Sequence, residues 1–403
     1  LKKSEVIVIG AGPAGMMAAI AAAQNGKKVL LLEGTSQLGK KLSITGGGRC
    51  NVTNARDISD FFDKVVRNHK FLYTPFYSFT NEMLMDFFMN EGVDLQIEED
   101  MKVYPKSHSS KDVIEAMQRV LERSGVQVLK SAKVSDIKLK SGKAISAILE
   151  NGAECFADSI IVATGGKSYP HTGSDGSMFD VIKRMGHFVQ LIYPALSPLL
   201  IRESWVKGLS GISLEAHMDI SHAGRMVYSN RGDLLFTHFG LSGPLALCAS
   251  SYINRCFANG DVEISIDFAP DSSASDISGL IREHPNKAIW NNLKELLPVS
   301  LMKELLSYLD INDLPNNLKK VDEERIVNAI KKSKLSCSGI MDIKVATVTS
   351  GGVKTSEIDP HTMRSKLVEN VLFAGEVIDV DALTGGYNLQ IAFSTGYVAG
   401  INA

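Results

Sequence analysis

The sequence predicts an α/β fold: a Rossmann-like domain, βαβ with a β-meander, that is discontinuous in the chain and interrupted by a β-rich segment and a group of helices. Three observations predict it. Gly10-Ala11-Gly12-Pro13-Ala14-Gly15 lies between a β-branched run and an alanine-rich stretch. A second buried run, Ser159 to Ala163, ends in Thr164-Gly165-Gly166 after three short strand-like segments. The same pattern returns late, at Asn370-Val371-Leu372-Phe373-Ala374-Gly375-Glu376, before a small-residue helix over Ile391 to Gly400.

Glu5 to Ile9 suits a strand covered on both faces. Gly10 permits the tight turn, Gly12 leaves room for a pyrophosphate, and Gly15 lets the following helix approach the strand. Pro13 and Ala14 open that helix, which continues from Met16 to Ala23. Lys28 to Leu32 is the second strand and ends on Glu33, about twenty residues past the turn, where a carboxylate reaches ribose hydroxyls. Phosphates would sit on backbone N–H groups at the positive helix end. The motif alone does not separate FAD from NAD(P).

Composition bounds the class. The chain has 403 residues, 44% hydrophobic and 22% charged, with a formal net charge of -2, so no bulk basic field points to nucleic acid or anionic membrane. Cys50, Cys155, Cys248, Cys256 and Cys337 are odd in number and scattered, which argues against a disulfide framework or a zinc site and favours a cytoplasmic setting. Lys2-Lys3 and the apolar run behind them mimic a secretory leader, but Glu5 and the glycine–proline turn interrupt it. No run of about eighteen apolar residues predicts a membrane span. Nothing in the sequence sets an oligomeric state, and no metal is expected.

After Glu33, Lys41 precedes Gly46-Gly47-Gly48-Arg49-Cys50-Asn51, a backbone able to approach a cofactor closely. Residues 58–91 read as helical, their phenylalanines as core. A helix is expected over about 110–124, and strands over Val93 to Ile97, Val126 to Leu129, Lys133 to Leu139, Ala144 to Leu149 and Glu154 to Ala157, the last three forming the meander. Strand-like segments then recur at Leu196–Ile201, Leu214–Ile220, Met226–Tyr228, Leu234–Phe236 and Val262–Ile266, with a helix near 243–257. Helices follow over Asp276–Glu283, Val299–Leu309 and Glu323–Lys332, punctuated by prolines. The expected division is residues 1–190 and 342–403 for the dinucleotide domain, 191–270 and 333–341 for the β-rich domain, and 271–332 for the helical subdomain.

This constellation resembles the FAD proteins of the glutathione-reductase-like superfamily. Ala163-Thr164-Gly165-Gly166 matches that superfamily's strand end after the meander, and Gly375-Glu376 stands where a Gly-Asp meets the ribityl chain. Val134 matches the strand position whose backbone meets adenine. The chain is closer still to the BaiN-like, aminoacetone-oxidase-like family of NAD(P)/FAD-dependent oxidoreductases. Gly46 to Asn54, Leu234 to Pro244 and Thr384 to Asn388 carry that resemblance. It implies a three-domain flavoprotein with non-covalent FAD, an inserted β-barrel-like domain and a helical domain.

With FAD bound, the helix opening at Gly386, Tyr387, Asn388, Leu389 and Gln390 would direct its positive end at the flavin. A cysteine partner four residues beyond Cys50 is missing, which excludes a dithiol relay there. Cys50 therefore reads as a small buried residue beside the flavin. His238, in an apolar run with Phe236 and Phe239, reads as a hydrogen-bonded core residue or a substrate-side base. Tyr387 and Tyr169 are the other catalytic candidates. A second glycine fingerprint is absent, so reoxidation by O2, or transient use of NAD(P)H over the flavin, is expected. The chemistry is expected where residues 46–51, 165–169 and 385–390 converge under the inserted domain. The resemblance implies oxidation of a small primary amine, aminoacetone-like, with O2 giving hydrogen peroxide. The alternatives are an NAD(P)H-dependent reductase of activated C=C bonds and a flavin-bearing binding protein with little turnover.

Overall fold

The computed structural model describes residues 3–257, 260, 262–311 and 314–403. They divide into two compact units, Leu1–Tyr193 with Ile343–Ala403, and Pro194–Asp342.

The first unit is built on a five-stranded sheet, all parallel, in the order Val371–Phe373, Ser159–Val162, Val6–Ile9, Val29–Leu32 and Gln127–Leu129. The four strands other than the Gln127–Leu129 edge are buried along their whole length. That is why they are unbroken apolar runs without polar alternation. The three-stranded antiparallel meander is Val134–Lys140, Lys143–Leu149 and Glu154–Phe156. The last strand of the sheet comes from the C-terminal part of the chain, and its register places Leu372 beside Ile161.

Two helices face each other through small residues. Pro13–Gln24 packs on Tyr387–Ile401, and a Cβ added at Gly396 would lie 2.3 Å from the Ala14 carbonyl oxygen. The apolar character of both helices is explained by this mutual burial.

Residues 58–91 are not one helical stretch. A strand, Val65–Arg67, interrupts it and pairs antiparallel with Asp381–Ala382. The β-branched pair Val65-Val66 suits that pairing, and Asn68 at φ 60 turns the chain back into helix. Asn81–Asn90 then forms with Thr80 as its cap.

The second unit holds a closed six-stranded barrel, in the order Leu199–Ile201, Gly240–Ser242, Arg225–Thr237, Ser213–His222, Val262–Asp267 and Ser333–Ile340. The segments Met226–Tyr228 and Leu234–Phe236 are one continuous strand, Arg225–Thr237, since the polar residues between them, Ser229 to Asp233, pair without a break with Glu215 to Asp219 of the neighbouring strand. Gly243–Ile253 and the helices between Ala274 and Lys331 share one apolar core with the barrel, centred on residues such as Phe236, Phe268, Ile277 and Leu301. Among the described residues no helix is long and apolar enough to cross a membrane.

Candidate functional site

In the first unit two further segments close on the glycine turn that opens Pro13–Gln24, one at Ala163 and one at Gly375. Gly10 sits at φ 98, with its added Cβ only 2.6 Å from the Ala163 carbonyl oxygen. The turn therefore abuts the end of Ser159–Val162. An added Cβ at Gly15 would lie 1.8 Å from the Gly10 carbonyl oxygen, so helix and turn touch at backbone distance. Gly12 differs, since an added Cβ there would meet nothing within 4 Å. At Gly375 it would lie 2.7 Å from the Ala14 Cβ.

Glu33 is buried at the end of its strand and ties this turn together. Its Oε2 accepts from the Ala11 N–H at 2.8 Å and its Oε1 from the Thr35 N–H at 2.7 Å. A carboxylate has further lone pairs, so these bonds orient it and leave it able to accept from hydroxyls. Ala132 N–H donates to the Glu33 carbonyl, which brings the start of the meander, with Val134, beside the acid.

The second acid, Glu376, lies on another side of the cradle. Lys41 Nζ donates to its Oε2 at 2.7 Å and to Ser168 Oγ at 2.6 Å. Ser168 Oγ and the Thr349 N–H both donate to Glu376 Oε1. Burial alone would push this carboxyl up. The Lys41 ammonium and the Thr349 N–H outweigh it and hold the group below the ordinary carboxylate range. Thr349 Oγ1 accepts from the Lys167 and Ser168 N–H groups, and an added Cβ at Gly166 would strike it. Thr164 and Gly165 complete this wall, and Ser174 Oγ lies against Gly165, buried and without a hydrogen-bond partner among the described residues.

Gly46, Gly47 and Gly48 are all left-handed, at φ 58, 67 and 88, and Cys50 follows at φ 60. This coil docks directly on the Gly385-Gly386 turn. The Asn51 amide, oriented so that both ends are satisfied, accepts from the Gly386 N–H at 3.0 Å and donates to the Thr53 carbonyl. An added Cβ at Gly386 would lie 2.4 Å from the Thr53 carbonyl. Asn54 Nδ2 donates to the Gly385 carbonyl. Arg49 faces elsewhere: it stacks 4.0 Å over Tyr104 and makes a two-pronged contact with Glu98. The Cys50 thiol is fully buried, and burial pushes it up to about 12. It is a neutral core group at physiological pH.

These features fit a dinucleotide. The helix N-terminus carries no acid in its first turn, its Gly12 flank is open, and two oriented carboxylates and an unpaired buried hydroxyl surround it.

A family model, the HI0933-like protein Rossmann domain, matches residues 4–402. The chain belongs to the HI0933-like family. It is an oxidoreductase of the FAD type. A curated relative, the 3-dehydro-bile acid delta(4,6)-reductase of Clostridium scindens, is 30% identical over 98% of this chain and 97% of its own. The ribosomal RNA dihydrouridine synthase of Haemophilus influenzae is 28% identical over 99% and 98%. The 3-ketosteroid delta1-dehydrogenase of Sterolibacterium denitrificans shares the fold, with a TM-score of 0.52 at 12% identity over 99% of both chains.

Within this HI0933-like chain the three catalytic candidates have different settings. Tyr387 is buried against Phe61, with ring centroids 4.9 Å apart, and burial pushes its phenol up despite Arg56. Tyr169 is half-buried and holds a left-handed backbone, φ 51, unusual for an aromatic residue. His238 belongs to the second unit and is exposed in the turn after Arg225–Thr237, beside Phe239. It is not a core histidine, because the strand ends at Thr237 and the turn leaves the apolar interior. Asn388 and Gln390 spend their amides on the protein. Asn388 pins Ala382, while Gln390 joins Thr53, Phe79 and Ser394. Leu389 is half-buried in the same first turn.

Ser168, Ser174, Thr349 and Arg67 had no signal in the sequence. Arg67 donates to Ser350 and to the fully buried Asp381 and so anchors the strand that leads to Gly385. Asp379 and Asp381, buried acids inside an apolar run, were the detectable anomalies.

Proposed function

We propose that this chain reduces a carbon–carbon double bond conjugated to a carbonyl, with FAD held non-covalently in the cradle of the first unit and recharged by NAD(P)H. The observation that carries the reading is the end-to-end match to a bile-acid reductase at 30% identity. A 3-oxo group conjugated to delta-4 and delta-6 double bonds is an activated acceptor, and saturation needs a hydride on one carbon and a proton on its neighbour. Dihydrouridine differs from uridine by saturation of a double bond of the same class. The full-length likeness to a ribosomal RNA dihydrouridine synthase therefore favours RNA as a second substrate reading, against the balanced charge of the chain. Oxidation of a small amine with O2 as acceptor is the rival outcome.

Bound FAD supplies a ring that gives and takes hydride. The protein's own residues bind and orient. The Gly10–Gly15 turn would take the pyrophosphate and Glu33 the adenosine ribose, and Lys41, Ser168 and Glu376 would present a fixed charge pattern to the ribityl side. Asn51, Asn54 and Thr53 hold the Gly385-Gly386 turn so that the first amides of Tyr387–Ile401 face one way. A positive helix end there favours negative charge. Cys50, neutral and buried, takes no part as a thiolate. Tyr169, half-buried with a left-handed backbone, is the first unit's side chain assigned to substrate. Tyr387 positions the helix from the core. The cytoplasm, reducing and supplied with nicotinamide cofactors, is the proposed setting.

Anaerobic stopped-flow absorbance of the purified protein tests this. Bleaching by NADH or NADPH, then recovery on adding a steroid 4,6-dien-3-one, supports the reading. Recovery only with a uridine-containing ribosomal RNA fragment moves it to RNA. Bleaching by aminoacetone with peroxide release in air, and no response to nicotinamides, overturns it.

A further inference from the structure

The hydroxyl of Ser174 is the unexplained polar atom of the cradle. Ser174 is 6% exposed and has no hydrogen-bond partner among the described residues. A buried hydroxyl without a partner destabilises the fold that contains it, so its presence calls for a ligand or a reason. The loop after Gly166 returns here through the turn Pro170–Thr172. Its neighbours locate it. At Gly173, an added Cβ would lie 3.8 Å from Glu33 Oε1. At Gly165, it would lie 2.8 Å from Ser174 Oγ and 3.8 Å from Glu376 Oε2. Ser174 thus stands between the two oriented carboxylates of the cradle.

The covalent order of FAD makes this position specific. Its pyrophosphate lies between the adenosine ribose and the ribityl chain. With Glu33 on the ribose side and Glu376 on the ribityl side, the group that falls between them is the pyrophosphate. We propose that Ser174 Oγ donates a hydrogen bond to a pyrophosphate oxygen of bound FAD. This rests on the FAD reading above. A hydroxyl suits the task because it adds a donor between two carboxylates without adding another negative charge, and a hydrogen bond to a charged acceptor is among the stronger ones.

The test compares wild type and Ser174→Ala as apoproteins. Binding of FAD is followed by flavin fluorescence, binding of ADP and adenosine by calorimetry, and stability by apoprotein melting. The expected result has two opposite signs. S174A weakens FAD and ADP by at least about tenfold, leaves adenosine unchanged, and leaves the apoprotein melting temperature equal or higher, since an unpaired hydroxyl has been removed. Unchanged affinity for FAD overturns the proposal. So does a lower apoprotein melting temperature with equal losses for adenosine, the pattern of a structural hydroxyl or a buried water site. Failure of the wild type to take up FAD overturns the cofactor reading and this inference with it, a result distinct from uptake that ignores S174A.

Discussion

Thr53 donates its hydroxyl hydrogen to Gln390 Oε1 at 2.7 Å, both residues buried, across 337 residues of sequence. The bond joins the coil after Gly46-Gly47-Gly48 to the first turn of Tyr387–Ile401. Gln390 Nε2 is spent on the Phe79 carbonyl and Ser394, so the amide is saturated by protein. Two motifs that look like separate cofactor contacts are one structural joint.

Thr53→Val keeps the shape and removes the donor, leaving Gln390 Oε1 buried and unpaired. We expect a loss of about 1–3 kcal/mol in urea unfolding. Gln390→Leu added to it should cost less than the two single changes summed, because the orphaned group is then gone. Strict additivity would show that the joint carries no coupling.

Two of the fingerprint glycines should separate by readout. Gly12→Ala meets no atom and should leave apoprotein stability within about 0.5 kcal/mol while weakening FAD. Gly15→Ala collides with the Gly10 carbonyl and should cost about 3 kcal/mol or more, with insoluble or unfolded protein as the visible sign. Equal stability of the two variants, measured by thermal melting, would contradict the geometry.

Lys41 and Glu376 set an acid limit. Glu376 has its folded pKa held below its ordinary 4.5, so its contribution to stability is present above that value and is lost as pH falls through the lower, folded value. In Lys41→Met the carboxyl keeps its burial and loses its cation, so its folded pKa rises. The acid-unfolding midpoint should move to higher pH, and apoprotein stability at pH 7 should fall. A pH titration of far-ultraviolet circular dichroism that superimposes on wild type would refute the pairing.

Cys50 should behave as a hydrocarbon-like core group. With its thiol pushed up to about 12, native protein should resist iodoacetamide at Cys50 from pH 6 to 9 and react only on unfolding, as read by peptide mass spectrometry. Cys50→Ala should keep turnover within about threefold, since no thiolate is used. Loss of turnover in a folded, flavin-loaded C50A would return a chemical role to this residue.

Much of the first unit is legible in the sequence because its signals are local. A strand buried on both faces must be an unbroken apolar run, and a turn at backbone contact distance must be glycine. Glu33 falls at the end of its strand by spacing alone. The interruption at Val65–Arg67 was not legible, because its partner strand, Asp381–Ala382, lies more than 300 residues away. The same holds for Arg49. Its motif suggests a cofactor contact, but its guanidinium is held by Glu98 and Tyr104, neither of which is a neighbour in sequence.

By itself the sequence determined the parallel core, the meander, the return of the C-terminal strand to the first unit, and the glycine turn that opens the helix. Each follows from steric limits and side-chain periodicity within a few residues. Tertiary structure alone decided the closure of the barrel, the burial of Tyr387, the exposure of His238, the Lys41–Glu376–Ser168 network and the orphaned hydroxyl of Ser174. Those depend on which distant groups meet, and hydrogen-bond satisfaction in a low-dielectric interior is a property of the meeting, with no trace in the local sequence.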